Sequence, residues 1–60
     1  MAILRVRAVS EKTGLSSAMI YLMANRGDFP RPIRLTRHCL GWPQEAVEKW
    51  LSDRAAEGYE

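Results

Sequence analysis

Residues 29–42 read FPRPIRLTRHCLGW, two prolines, three arginines and a histidine set between a Phe and a Trp. Helix is excluded over Asp28–Pro32, because each proline removes an amide donor and drives the residue before it toward extended backbone. Beyond that turn, Ile33-Arg34-Leu35 and Leu40-Gly41-Trp42 alternate with the period of two that belongs to strands. The stretch therefore reads as a stiff turn, anchored by Phe29, that leads into a two-stranded hairpin with Thr36–Cys39 at its tip. Alternation is expected to put Ile33, Leu35, Leu40 and Trp42 on one face and Arg34 and Thr36 on the other. A two-stranded ribbon is marginal alone, so its apolar face needs helices beneath it.

The flanking sequence supplies those helices. Residues 7–14, RAVSEKTG, read as a short first helix closed by Gly14, which suits the left-handed position after a helix end. Ser16 or Ser17 can cap the next helix through its side-chain oxygen. Residues 18–24, AMIYLMA, are mostly unbranched and helix-favouring, and Gly27 closes that second helix. Only Gly14, Leu15 and Ser16 separate the two, which is the spacing of a helix-turn-helix, although a generic helical hairpin has the same spacing. After the hairpin, Pro43 fits the first position of a third helix, with Gln44 and Glu45 at its positive end. Its inward stripe is Ala46, Val47, Trp50 and Leu51, and Glu48, Lys49, Ser52 and Asp53 face solvent. Residues 57–60 read as a frayed tail.

Size and composition bound the function. A 60-residue chain with 47% hydrophobic and 27% charged residues is one small folded domain, without room for a deep enzyme cleft. Its one cysteine, Cys39, excludes an internal disulfide and points to a reducing compartment, so cytoplasm is the expected location. Neither a signal-peptide core nor the roughly 20 apolar residues of a membrane helix is found in the sequence. His38 beside Cys39 falls short of the four ligands of a zinc site, and no third group completes a nucleophilic pair. No catalytic residue, metal ligand or cofactor is therefore expected.

Charge is uneven along the chain. Residues 1–42 carry Arg5, Arg7, Lys12, Arg26, Arg31, Arg34 and Arg37 against Glu11 and Asp28, a net of +5. Residues 43–60 carry Lys49 and Arg54 against Glu45, Glu48, Asp53, Glu57 and Glu60, a net of −3. A polyanion would be drawn to the first part and repelled by the last. On charge alone, a solvated surface without a partner stands equally well.

Four sequence features together narrow the reading. They are TGLS (Thr13–Ser16), Ile20-Tyr21, the run from Gly27 to Leu35 built on FPRP, and Gly41-Trp42 followed by Val47, Trp50 and Leu51. In these, Leu4 to about Arg54 resembles the AlpA family of phage and prophage regulators, which is related to small excisionases and to MerR-type DNA-binding domains. The resemblance implies a mostly α fold with a small β-hairpin, a winged helix-turn-helix of three helices and a two-stranded wing. It implies double-stranded DNA as the partner, with the second helix in the major groove and the wing on the backbone or minor groove. Relatives of this kind regulate transcription of prophage genes or direct excision.

The chain departs from that pattern where the family commonly has arginines, at Ser17 and Leu22. Its base contacts are then expected from Ser16, Ser17, Ala18, Met19 and Tyr21, with Ser meeting several bases and Met or Ala a thymine methyl. Arg26, Arg31, Arg34, Arg37 and His38 are the expected backbone contacts, and Arg31 is alternatively a partner for Asp28. Four phosphates neutralised give a salt slope of roughly −3.6, a loss on the order of a hundredfold between about 50 and 200 mM salt. Weak binding of that kind implies cooperative or tandem copies, or help from an integrase or RNA polymerase. The competing reading is a protein-interaction module that docks a phage or host protein through the third helix.

Overall fold

The computed structural model describes residues 2–58. Strand β1 (Ile3–Leu4) leads into helix α1 (Val6–Thr13) and helix α2 (Ser17–Arg26). Strands β2 (Ile33–Thr36) and β3 (Cys39–Pro43) follow, and helix α3 (Gln44–Gly58) closes the order. Three helices thus pack with a three-stranded antiparallel sheet of order β1-β3-β2, the arrangement of a small helix-turn-helix with a wing.

The turn between α1 and α2 is tied down by short side chains. Gly14 takes φ 79° and donates its N–H to the Ser10 carbonyl. Thr13 Oγ1 donates to the Val9 carbonyl at 2.8 Å and accepts from the Leu15 N–H at 3.2 Å, while Ser10 Oγ donates to the Leu15 carbonyl at 2.6 Å. Ser16, rather than Ser17, is the cap of α2, its Oγ accepting from the Met19 N–H at 3.1 Å. At the other end Gly27, at φ 86°, and Asp28 return their N–H groups to Ala24 and Met23, the paired bonds of a Schellman ending.

The FPRP turn is fastened by two indoles. Trp42 Nε1 donates to the Pro30 carbonyl at 2.7 Å, and Trp50 Nε1 donates to the Asp28 carbonyl at 2.8 Å. Between these bonds Phe29 is buried edge-on against both rings, with centroids 6.3 Å from Trp42 and 4.8 Å from Trp50. Together with Val9, Ile20, Ala24, Trp42 and Val47 it forms the core, and Leu4, Val6, Leu15, Met23, Trp50 and Leu51 pack around it. Phe29 as anchor and the stripe of the third helix are both as the sequence reading has them.

Four expectations are corrected. The ribbon gains a third strand, because Ile3 and Leu4 pair with Pro43 and Trp42, and the Gln44 N–H reaches the Ala2 carbonyl. Pro43 ends β3 instead of opening α3. Glu57 and Gly58 remain helical, with Glu57 paired to Arg54; the rest of the expected frayed tail, residues 59 and 60, lies outside the described residues.

The fourth correction concerns the faces of the hairpin. Its register sets Ile33 across from Gly41 and Arg34 across from Leu40, and directly paired residues share a face. Leu40 and Trp42 therefore turn toward the helices with Arg34, while Ile33 and Leu35 lie on the opposite face. There Leu35 and Ile3 close over Gly41, where a Cβ would stand 3.0 Å from Leu35 Cδ1 and 2.5 Å from Ile3 Cγ2. Alternation fixes faces within each strand; the register between strands, here with an irregularity between Arg34 and Thr36, fixes which faces coincide.

Candidate nucleic-acid interface

Burial sorts α2 into two sides. Ile20 and Ala24 are buried and Met23 half-buried, whereas Ser17, Ala18, Met19, Tyr21, Leu22 and Asn25 are exposed. Spacings of three and four place these on one open side of the helix. The side is nearly uncharged, and it presents three large apolar surfaces, Met19, Tyr21 and Leu22. Ser16 also lies exposed at the start of this helix, its Oγ engaged as acceptor by the cap.

Tyr21 joins α2 to the sheet. Its ring lies 5.7 Å from that of Trp42, tilted by 52°, so the ring rests on the core rim while the residue stays 42% exposed. Beside it, Tyr21, Ala24, Asn25, Arg31, Pro32 and Leu40 line a hollow of about 290 Å³ between α2 and the strand-bearing half. Arg34, across from Leu40, leaves the sheet on this same face.

Ion pairing divides the cations. Arg7 meets Glu11, Lys12 meets Glu48, Arg26 meets Asp28 and Arg54 meets Glu57, at 3.1 to 4.0 Å. Among the described residues Arg5, Arg31, Arg34, Arg37 and Lys49 have no such partner. Arg31, Arg34 and Arg37 stand on β2 or on the segments that enter it and join it to β3, Arg5 lies at the start of α1, and Lys49 is on α3. The alternative that Asp28 holds Arg31 is thereby corrected: Asp28 pairs with Arg26 at 3.8 Å, both side chains remaining largely exposed. Arg37 and His38 form the exposed tip, with the His38 N–H on Thr36 Oγ1 at 3.3 Å.

The acidic residues gather elsewhere. Glu45, Glu48, Asp53 and Glu57 are exposed on α3. Glu48 is held below the usual carboxylate range by the hydrogen bond from Gln44, and next by Lys12. No group of three or more His, Cys, Asp or Glu able to hold a metal ion occurs among the described residues. No helix among them is long and apolar enough to cross a membrane.

The family described as Prophage CP4-57 regulatory protein (AlpA) matches residues 2–55. The chain belongs to the AlpA family. No individual curated protein matches it. Within this AlpA chain, the structure brings Ser17, Ala18, Met19 and Tyr21 together on α2, and Arg31 and Arg34 beside it. Asn25, exposed on the same side of α2 and lining the hollow with Tyr21 and Arg31, is not among the residues the sequence reading names, although its spacing of four from Tyr21 puts it on that side.

Proposed function

We propose that this AlpA-family protein binds double-stranded DNA and regulates genes of a prophage or mobile element, as a transcriptional regulator or an excision directionality factor. In this reading α2 enters the major groove and the wing lies on the backbone or in the minor groove. The observation that carries it is the division of cations: Arg7, Lys12, Arg26 and Arg54 on the helices are paired with carboxylates, whereas among the described residues Arg31, Arg34 and Arg37, on the turn and the wing, are not.

Base reading falls to Ser17, Ala18 and Met19, with Leu22 adding apolar surface for thymine methyl groups, and the Tyr21 hydroxyl falls to a phosphate. Backbone positioning falls to Arg31, Arg34, Arg37 and His38. Three arginines on three phosphates give a salt slope of about −2.7, a loss of about 40-fold between about 50 and 200 mM salt. So few contacts favour tandem copies on repeated sites, or cooperation with an integrase or RNA polymerase.

Selection from a random duplex pool tests the reading. Convergence on a shared motif is expected, and a pool that stays random after repeated rounds overturns it. The docking alternative draws on a groove of about 650 Å³ that includes Trp50 and Arg54 of α3. It predicts that W50 and R54 variants lose a protein partner, whereas DNA binding predicts that R54A leaves duplex affinity unchanged.

A further inference from the structure

The hollow between α2 and the wing has a floor and a rim of different chemistry. Ala24, Pro32 and Leu40 supply carbon, and Tyr21, Asn25 and Arg31 supply donors. Among the described residues, neither the Tyr21 hydroxyl, the Asn25 amide nor the Arg31 guanidinium makes a side-chain hydrogen bond or ion pair within the chain. Three exposed donors without a partner in the chain, set around an apolar floor, suit a ligand that is anionic at one end and carbon-faced at the other. At about 290 Å³ the hollow stands at the lower end of small-molecule sites, about 300 to 1,000 Å³, which fits a fragment better than a whole nucleotide cofactor.

We infer that this hollow seats one sugar-phosphate unit of the DNA backbone, with Asn25 as a contact alongside Tyr21 and Arg31. The inference rests on the DNA-binding reading above and adds to it a defined phosphate site and a residue. The phosphate oxygens take the amide N–H of Asn25, the hydroxyl of Tyr21 and the guanidinium of Arg31, which can bind two oxygens at once. The deoxyribose carbons rest on Pro32 and Leu40.

Asn25 lies in the last turn of α2, where the helix dipole is negative and repels an anion. The Gly27 and Asp28 N–H groups already occupy the Ala24 and Met23 carbonyls, and Asp28 is drawn to Arg26. Arg31 lines the hollow and Arg34 shares its sheet face, so positive charge outweighs the residual dipole. A shared phosphate also explains why an arginine between two prolines is useful: the turn holds Arg31 at the rim with little backbone freedom to lose.

The test measures affinity for a random-sequence 20-base-pair duplex at low salt, for the full chain and its Y21F, N25A, N25D, R31A and N25A/R31A variants. N25A is expected to weaken binding about tenfold with its salt slope unchanged, and N25D to weaken it further. R31A is expected to lower the slope by about 0.9, and the double variant to lose less than the product of the two single losses, since both hold one phosphate. In a parallel arm, the Asn25 side-chain amide resonance should move with duplex and stay in place with inorganic phosphate. Wild-type affinity in both N25A and N25D, or an equal response to inorganic phosphate, overturns the site while leaving DNA binding intact. A wild-type chain without duplex affinity overturns the functional reading and the site together.

Discussion

Arg34 stands directly across the β2–β3 ladder from Leu40, so it leaves the sheet on the face that also carries Trp42. That face meets α2, through the 5.7 Å contact of the Tyr21 and Trp42 rings. One register therefore decides both what holds the wing and where its charge goes. Had the ladder slipped by one residue, Arg34 would stand away from α2 and Ile33 would face it.

The close fit at Gly41 makes that register sensitive. A Cβ there would stand 2.5 Å from Ile3 Cγ2, a branch on a stiff side chain, and 3.3 Å from the Leu4 carbonyl oxygen. Gly41→Ala is expected to destabilise by about 1–3 kcal/mol in urea unfolding. Adding Ile3→Ala should relieve part of the clash, so that the double variant loses less than the sum of the single losses.

Trp42 is fully buried and also binds the Pro30 carbonyl. Trp42→Ala should cost about 3–5 kcal/mol, a large part of the stability of a domain this size, and thermal unfolding should begin near room temperature. Trp50→Phe keeps an aromatic ring beside Phe29 but frees the Asp28 carbonyl, at about 1 kcal/mol.

The cap gives a separable prediction. Ser16→Ala should cost about 1 kcal/mol by removing the acceptor of the Met19 N–H, and Ser17→Ala should leave stability nearly unchanged. Chemical denaturation of the two variants checks the assignment directly.

These contacts show how much of the molecule was legible in its residues. The helices followed from local chemistry: Gly14 and Gly27 at left-handed ends, Ser16 or Ser17 at a start, and a period of 3.6 in α3. Phe29 and the proline turn were equally plain. Strand β1 escaped because two residues carry no period, and its pairing to Pro43 and Trp42 is non-local. Ile33 and Leu35 were put on the wrong face because alternation says nothing of register across a turn. The residue types of the candidate interface were legible, but the pairing of Arg26 with Asp28 and the hollow that Asn25 lines with Arg31 and Leu40 depend on how the chain turns after α2, which periodicity does not give.

Acid should weaken one tie between helices. Glu48 receives the Gln44 amide and the Lys12 ammonium, both of which favour its charged form, so its folded pKa lies below its unfolded one. Its stabilising effect is present above the unfolded value of about 4.3 and is lost as pH falls through the folded value. Melting temperature against pH should therefore differ between wild type and Glu48→Gln above that range, and the two curves should converge below it.

The central claim is that the exposed arginines of the wing hold DNA. The most direct measurement is the dependence of duplex affinity on salt for wild type and for Arg34→Ala/Arg37→Ala, both sites being exposed and without an ion pair among the described residues. The account predicts weaker binding and a slope reduced in magnitude by about 1.8, with the melting curve retained. Unchanged affinity and an unchanged slope would contradict it.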